Sequence, residues 1–317
     1  MKSRYLILGI TAASMLSACG GKFNAPNSVE SSPANNSASI PDSTTGNTVP
    51  SNKVLQTFGT SLRQKSSLSE SQVLALLNSG AVAINASGLG SSTDVNALIP
   101  IIIQGISQNI GTTIPGLNSS QIATLISGLG TSAIEASLVS SGGAISNSLI
   151  QNISTTLFQN LSAAGVSNGN LSSVSSVLMS SLVSYLGTSG LPSANLSALL
   201  QSLSSGAVLG VGNLNVASLG SVILSDILNK IGAGSIQGLS GISSSSSVLQ
   251  TLINSLTAGS QSGLSQVVSS NSSLGLNLNQ LLSNVISGQS ANLGKLGLNP
   301  TEQQVISVLL QLLLAKI

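Results

Sequence analysis

From Val54 onward the apolar residues return every three or four positions, and Ser, Asn, Thr, Gln and Gly fill the spaces between them. The clearest stripe is Ile145, Leu149, Ile153, Leu157 and Leu161, with Ile150 and Phe158 beside it. Spacing of i, i+4, i+8 lines one face of an α-helix. Leu171, Val174, Leu178, Leu182 and Leu186 make a second stripe. Shorter ones run through Ile122–Leu129, Leu196–Leu203, Val216–Ile231, Val248–Leu256, Leu278–Val285 and Val305–Ile317. The pattern predicts an all-α array or bundle of about ten short amphipathic helices. The competing reading is a Gly/Asn/Ser-rich β-solenoid, because Val211–Val216 and Leu274–Asn279 alternate with period two. Those stretches are short, and Leu outweighs the β-branched residues elsewhere, which favours helix.

Helix boundaries are marked by polar starts and glycine stops. Ser69-Glu-Ser-Gln72 and Asn118-Ser-Ser-Gln121 fit capping boxes. Asn299-Pro300-Thr301-Glu302 sets a cap, a proline at the first helical position and an acid in the first turn, with Lys316 near the opposite end of the dipole. Gly187, Gly206, Gly232, Gly259 and Gly288 each follow a periodic run, where a left-handed C-cap residue is expected. Ser, Asn and Gly are mediocre helix formers, so these helices need packing or a surface to be stable.

Ahead of the periodic region the composition changes. Between Gly20 and about Asn52 the chain is Ser, Asn, Thr and Pro, too poor in apolar residues to offset its ordering entropy. Residues 19–66 are expected to form a disordered tether, and residues 67–317 the helical body.

The N-terminus carries an address. Met1-Lys-Ser-Arg4 is a basic n-region and Tyr5–Leu16 an apolar run too short to span a bilayer. Leu16-Ser17-Ala18-Cys19 then resembles the lipobox of bacterial lipoproteins. The resemblance covers residues 1–19 and implies that 1–18 are a signal peptide. It also implies that Cys19 becomes the first mature residue, carrying a thioether-linked diacylglycerol and an N-acyl chain such as palmitate. Multiple acyl chains hold a protein stably on a membrane. Gly20 and Gly21 stand where an Asp would signal inner-membrane retention in enterobacteria, so the resemblance favours the outer membrane of an organism that has one. Cys19 is the single Cys, so no disulfide can form within the chain.

Charge and chemistry narrow the function. Of 317 residues only 5% are charged, against about a quarter in typical soluble domains. Without Lys2 and Arg4 the remainder balances seven cations against seven acids, so no basic face is available for nucleic acid. No His is present, and the carboxylates Glu70, Asp94, Glu135, Asp226 and Glu302 are scattered. Neither a metal site, a cofactor nor a His-assisted Ser nucleophile is expected. Gly232-Ala-Gly234-Ser-Ile-Gln-Gly238 approaches a dinucleotide fingerprint but follows a helix, and is read as a loop. Asp226 and Lys230 have the spacing of a helical ion pair; Arg63 and Lys65 are read as solvated, and Glu135 has no evident partner.

Opposite the apolar stripes lie hydroxyls, amides and glycines rather than Lys and Glu. Such faces suit close packing on each other or on a partner, insertion into lipid in the manner of packing sensors, or simply reflect biased composition. The expected function is a non-catalytic cell-envelope lipoprotein with a structural or partner-binding role. It would be tied to the membrane through acylated Cys19, with an envelope protein partner or self-association. The alternatives are a membrane-active or lipid-binding protein, and a hydrolase built on paired carboxylates or on a Ser with Lys230 or Lys295.

Overall fold

The computed structural model describes residues 52–214, 216–242 and 244–315, the side chains of 216–218 excepted. Among these residues there is no strand, and the helices are α1 (Lys53–Lys65), α2 (Glu70–Ala86), α3 (Val95–Thr113), α4 (Ser119–Ser140), α5 (Asn147–Gln159), α6 (Leu171–Thr188), α7 (Ser193–Gly212), α8 (Val216–Leu239), α9 (Ser246–Ser270), α10 (Leu278–Ser290) and α11 (Pro300–Ala315). The chain is all-α, and the described residues of the two alternating stretches belong to helix ends, turns and connections.

Helices begin where polar side chains can take up the free N–H groups of a first turn. Ser69 and Asn118 form complete capping boxes with Gln72 and Gln121. Asn299 accepts from the Glu302 N–H at 2.9 Å while the Glu302 carboxylate accepts from the Asn299 N–H at 3.0 Å. Asp94 accepts from Asn96 N–H at the start of α3. The predicted stripes turn inward: Leu149, Ile153, Leu157, Leu178, Leu182, Leu200, Ile227 and Leu256 are all buried in one continuous core.

From α4 to α10 the main contacts skip one helix, whereas α2 and α3 pack directly on each other. α5 packs on α7 and α7 on α9, while α4 packs on α6, α6 on α8 and α8 on α10. Two rows result, with the connections crossing between them. α2 and α3 lead into the first row, and α1 lies against α4 in the second. Hydrogen bonds between row neighbours join residues 54 apart (Gln151 with Ser205), 56 apart (Ser204 with Ser260) and 58 apart (Ser197 with Ser255). The array is therefore a quasi-repeat of one helix pair.

The row contacts are made by glycine. Gly206 and Gly210 of α7 face the carbonyls of Gln151 and Thr155 of α5, in the same chain direction, so the two helices run parallel. Gly234 and Gly238 of α8 face Ser176 and Ser180 of α6, and Gly259 and Gly263 of α9 face Gln201 and Ser205 of α7. Each pair is a Gly-x-x-x-Gly motif, which puts two side-chain-free positions on one helix face and lets backbones meet. A Cβ at Gly263 would stand 2.6 Å from the Ser205 carbonyl oxygen, closer than side chains tolerate. Ser154 adds to the contact by donating to the Leu203 carbonyl at 2.8 Å.

Several expectations are corrected. Gly187, Gly206, Gly232, Gly259 and Gly288 lie inside α6 to α10 rather than past their ends; the last four meet the backbone of a neighbouring helix, and Gly187 makes room for Ile242 in the connection after α8. Positive φ belongs instead to other glycines, among them Gly165 and Gly190 in connections and Gly220, whose φ of 76° breaks α8 after its first turn. The Val216–Ile231 stripe is thus interrupted. Gly232–Gly238 is helix, not loop. Residues 53–65, assigned to the tether, form α1 and bury Val54, Leu55, Phe58 and Leu62. The calls that rest on residues 1–51, Cys19 and the signal peptide among them, fall outside the described residues.

Gly259→Ala should lower stability by about 1–3 kcal/mol, because its Cβ meets the Gln201 backbone and not a side chain that can swing away. Gly111→Ala, in α3 with open space around its Cβ, should raise stability by about 0.5–1 kcal/mol. Urea denaturation midpoints of the two variants check the contrast.

Candidate functional site

Arg63, Lys65, Glu70, Glu135 and Tyr185 are gathered at the end of α1. α1 carries Ser61 and Lys65 one turn apart on the side that faces α4, and α4 carries Glu135. Glu135 Oε2 accepts from Ser61 Oγ at 2.8 Å and from the Tyr185 hydroxyl of α6 at 3.2 Å, and pairs with Lys65 Nζ at 2.9 Å. The Lys65 ammonium also lies 4.1 Å from the centre of the Tyr185 ring, within cation–π range. Three helices are thereby tied through one carboxylate oxygen. Next to it Arg63 pairs with Glu70 at 3.0 Å, linking the end of α1 to the start of α2.

Two groups in this cluster are shifted. Partial burial alone would push the Glu135 carboxyl up, but the hydrogen bonds and charge of Lys65, with Ser61 and Tyr185, outweigh it and hold the carboxyl below its ordinary value. Burial and then the adjacent Glu135 charge push the Tyr185 phenol up to about 12. Tyr185 therefore keeps its proton at neutral pH, and Lys65 is engaged by the carboxylate. The arrangement is a clamp between helices that sets one cation against one carboxylate.

This corrects two sequence expectations. Arg63 and Lys65 are paired rather than solvated, and Glu135 has three partners. Spacing could not have revealed them, since Lys65, Glu135 and Tyr185 come from three helices far apart in sequence. Other candidates stay apart. Among the described residues the ion pairs are Arg63–Glu70 and Lys65–Glu135, so Asp226 and Lys230 do not pair. Asp94 and Glu302 act as helix-start residues. Lys230 and Lys295 hydrogen-bond no serine among the described residues, and no three acidic, His or Cys side chains cluster there as a metal site would require.

A crevice of about 270 Å³ opens between the α1–α2 connection and the start of α4. Its walls mix Ser66, Gln72, Ser120 and Gln121 with Leu68 and Leu125. That lining suits water or a small polar group better than an acyl chain. Three segments, Ser119–Ser140, Asn168–Thr188 and Ser193–Gly212, are long and apolar enough to cross a membrane by length and composition. In the array they belong to the two rows, with 72%, 44% and 61% of their most apolar 18-residue stretches buried. Compared with known protein families and with curated proteins, the chain matches none.

Because the folded-state pKa of Glu135 is depressed, its contribution to stability is present above the unfolded carboxyl value, 4.5, and is lost as pH falls through the lower folded value. Glu135→Gln should cost about 1 kcal/mol at pH 7. The same variant should flatten the pH dependence of stability below pH 5, and thermal melts from pH 7 to pH 3 read both effects.

Proposed function

We propose that the chain is a lipid-anchored, non-catalytic protein of the bacterial cell envelope whose helical body serves as a structural or partner-binding element. The observation that carries this reading is the division of labour along the chain. A lipobox-like start precedes a Ser/Asn/Pro-rich stretch, and this precedes a packed helical array in which Asp94 and Glu302 serve helix starts and Lys65 and Glu135 form an interhelix clamp. Between Glu135 and Lys295 the only charged residues are Asp226 and Lys230. A surface of hydroxyls and amides offers hydrogen bonds without the desolvation cost of ions, which suits contact with another uncharged protein surface.

The lipid-binding reading draws on the three membrane-length segments. Burial of the apolar stripes within the rows weighs against it, because a helix that reads lipid through its apolar face must be able to present that face. In this proposal the anchor supplies membrane attachment and the array remains folded beside the bilayer.

Two measurements test the proposal. Mass spectrometry of the mature N-terminus should find Cys19 as the first residue, carrying a diacylglyceryl group; a retained Met1 or an unacylated Cys19 overturns the anchor. The full chain carrying Cys19→Ser should melt cooperatively in buffer and ignore neutral vesicles. A gain of helix on highly curved neutral vesicles, with no cooperative transition in buffer, would replace the partner-binding role with a lipid-binding one.

A further inference from the structure

The connection between α5 and α6 holds the single Asn-Gly dipeptide of the sequence, Asn168-Gly169. Both residues are exposed, in the short 3-10 turn Asn168–Asn170 that leads into α6. The Asn168 side-chain amide makes no hydrogen bond among the described residues, and the Gly169 N–H, in the first turn, has no partner either. A Cβ at 169 would meet nothing within 4 Å. A side-chain carbonyl carbon and the next backbone nitrogen are thus both unengaged, and glycine leaves the peptide between them free to rotate.

Comparable asparagines are held or shielded. Asn170 donates from Nδ2 to Ser119 Oγ at 2.8 Å and to Ser167 Oγ at 2.9 Å. The Asn118 side chain accepts from the Gln121 N–H, and Asn271 donates to the Val267 carbonyl. Asn147, at the start of α5, is exposed like Asn168 but precedes Ser148, whose side chain restricts the backbone.

We propose that Asn168 is a site of spontaneous, irreversible deamidation. The Gly169 nitrogen gives up its proton to base and attacks Asn168 Cγ. The new N–Cγ bond closes a five-membered imide, the Cγ–Nδ2 bond breaks, and Nδ2 leaves as ammonia. Water then opens the imide. Opening at Cγ gives aspartate; opening at the backbone carbonyl gives isoaspartate, whose main chain runs through the former side chain and is one methylene longer. Nothing is oxidised or reduced, and water is the one co-reactant.

The two products act in opposite directions on one junction. Neither the turn nor α6 has a side-chain cap at its start, so an aspartate at 168 supplies negative charge where first-turn N–H groups are free and favours α6. The longer backbone of isoaspartate instead displaces Asn170, and with it the bond to Ser119 that ties the start of α6 to the start of α4. Neither effect depends on the membrane anchor.

Ageing the full chain at pH 7 and at pH 9, followed by digestion and mass spectrometry against the unaged chain, tests the site. The peptide containing position 168 should gain about 1 Da. The gain should come several-fold faster at pH 9, and isoaspartate-specific enzymatic methylation should label the same peptide. The Asn147 peptide, and position 168 in the full chain carrying Gly169→Ala, should convert slower by roughly tenfold or more. Asn168→Asp should melt above the wild-type chain at pH 7, with the difference gone at pH 3, where the carboxyl is protonated. An unchanged mass at 168 after ageing, equal conversion at Asn147, or equal conversion in Gly169→Ala would overturn the modification. Asn168→Asp melting no higher than wild type at pH 7 would overturn its assigned effect on α6.

Discussion

Helix backbones can meet only where neither surface carries bulk, and the rows of this protein are held by that condition. Packed helices ordinarily stand 8–10 Å apart according to the side chains between them. Here Gly206, Gly210, Gly234, Gly238, Gly259 and Gly263 remove those side chains, so that α7, α8 and α9 each rest on carbonyl groups two helices earlier in the chain. Parallel direction, the offset of 54–58 residues and the crossing of connections between rows all follow from these contacts. Each interior glycine weakens its own helix by about 1 kcal/mol, and the dispersion gained from backbone proximity offsets it.

The same condition accounts for the composition. A Lys or Glu at a row contact would be caught between two backbones without water or a partner, at a cost far beyond that of an uncharged residue. Serine fits by size and in favourable places links neighbouring helices of a row, as Ser204 does with Ser260. In other places its size alone is used: Ser132 and Ser175 are buried without a hydrogen-bond partner among the described residues. Charge survives where the packing is looser and side chains can reach one another, as at α1, where Lys65 and Glu135 fasten the second row to its first helix.

Local rules were legible in the sequence. The stripes gave the helices, and Ser69, Asn118 and Asn299 marked their starts, because capping depends on residues three positions apart. Two kinds of information were not read. The interior glycines resemble C-caps when viewed singly, and only the spacing of Gly206 with Gly210, or Gly259 with Gly263, marks a packing face. Val54, Leu55, Phe58 and Leu62 carry a helical stripe that the neighbouring Ser/Asn/Pro-rich stretch obscured. The Glu135 clamp had no local signature, since its three partners are brought together by the rows themselves.

Because each helix rests chiefly on neighbours one to three places away in order, no single layer of side chains holds the whole array together. Its free energy behaves as a chain of nearest-neighbour interfaces. Loosening at α10, for example, withdraws support from α8 and α9 while the contacts of α2 with α3 stay intact. Mechanically, such an array is compliant along its length: a load at one end is relieved by peeling the end helices before the middle yields.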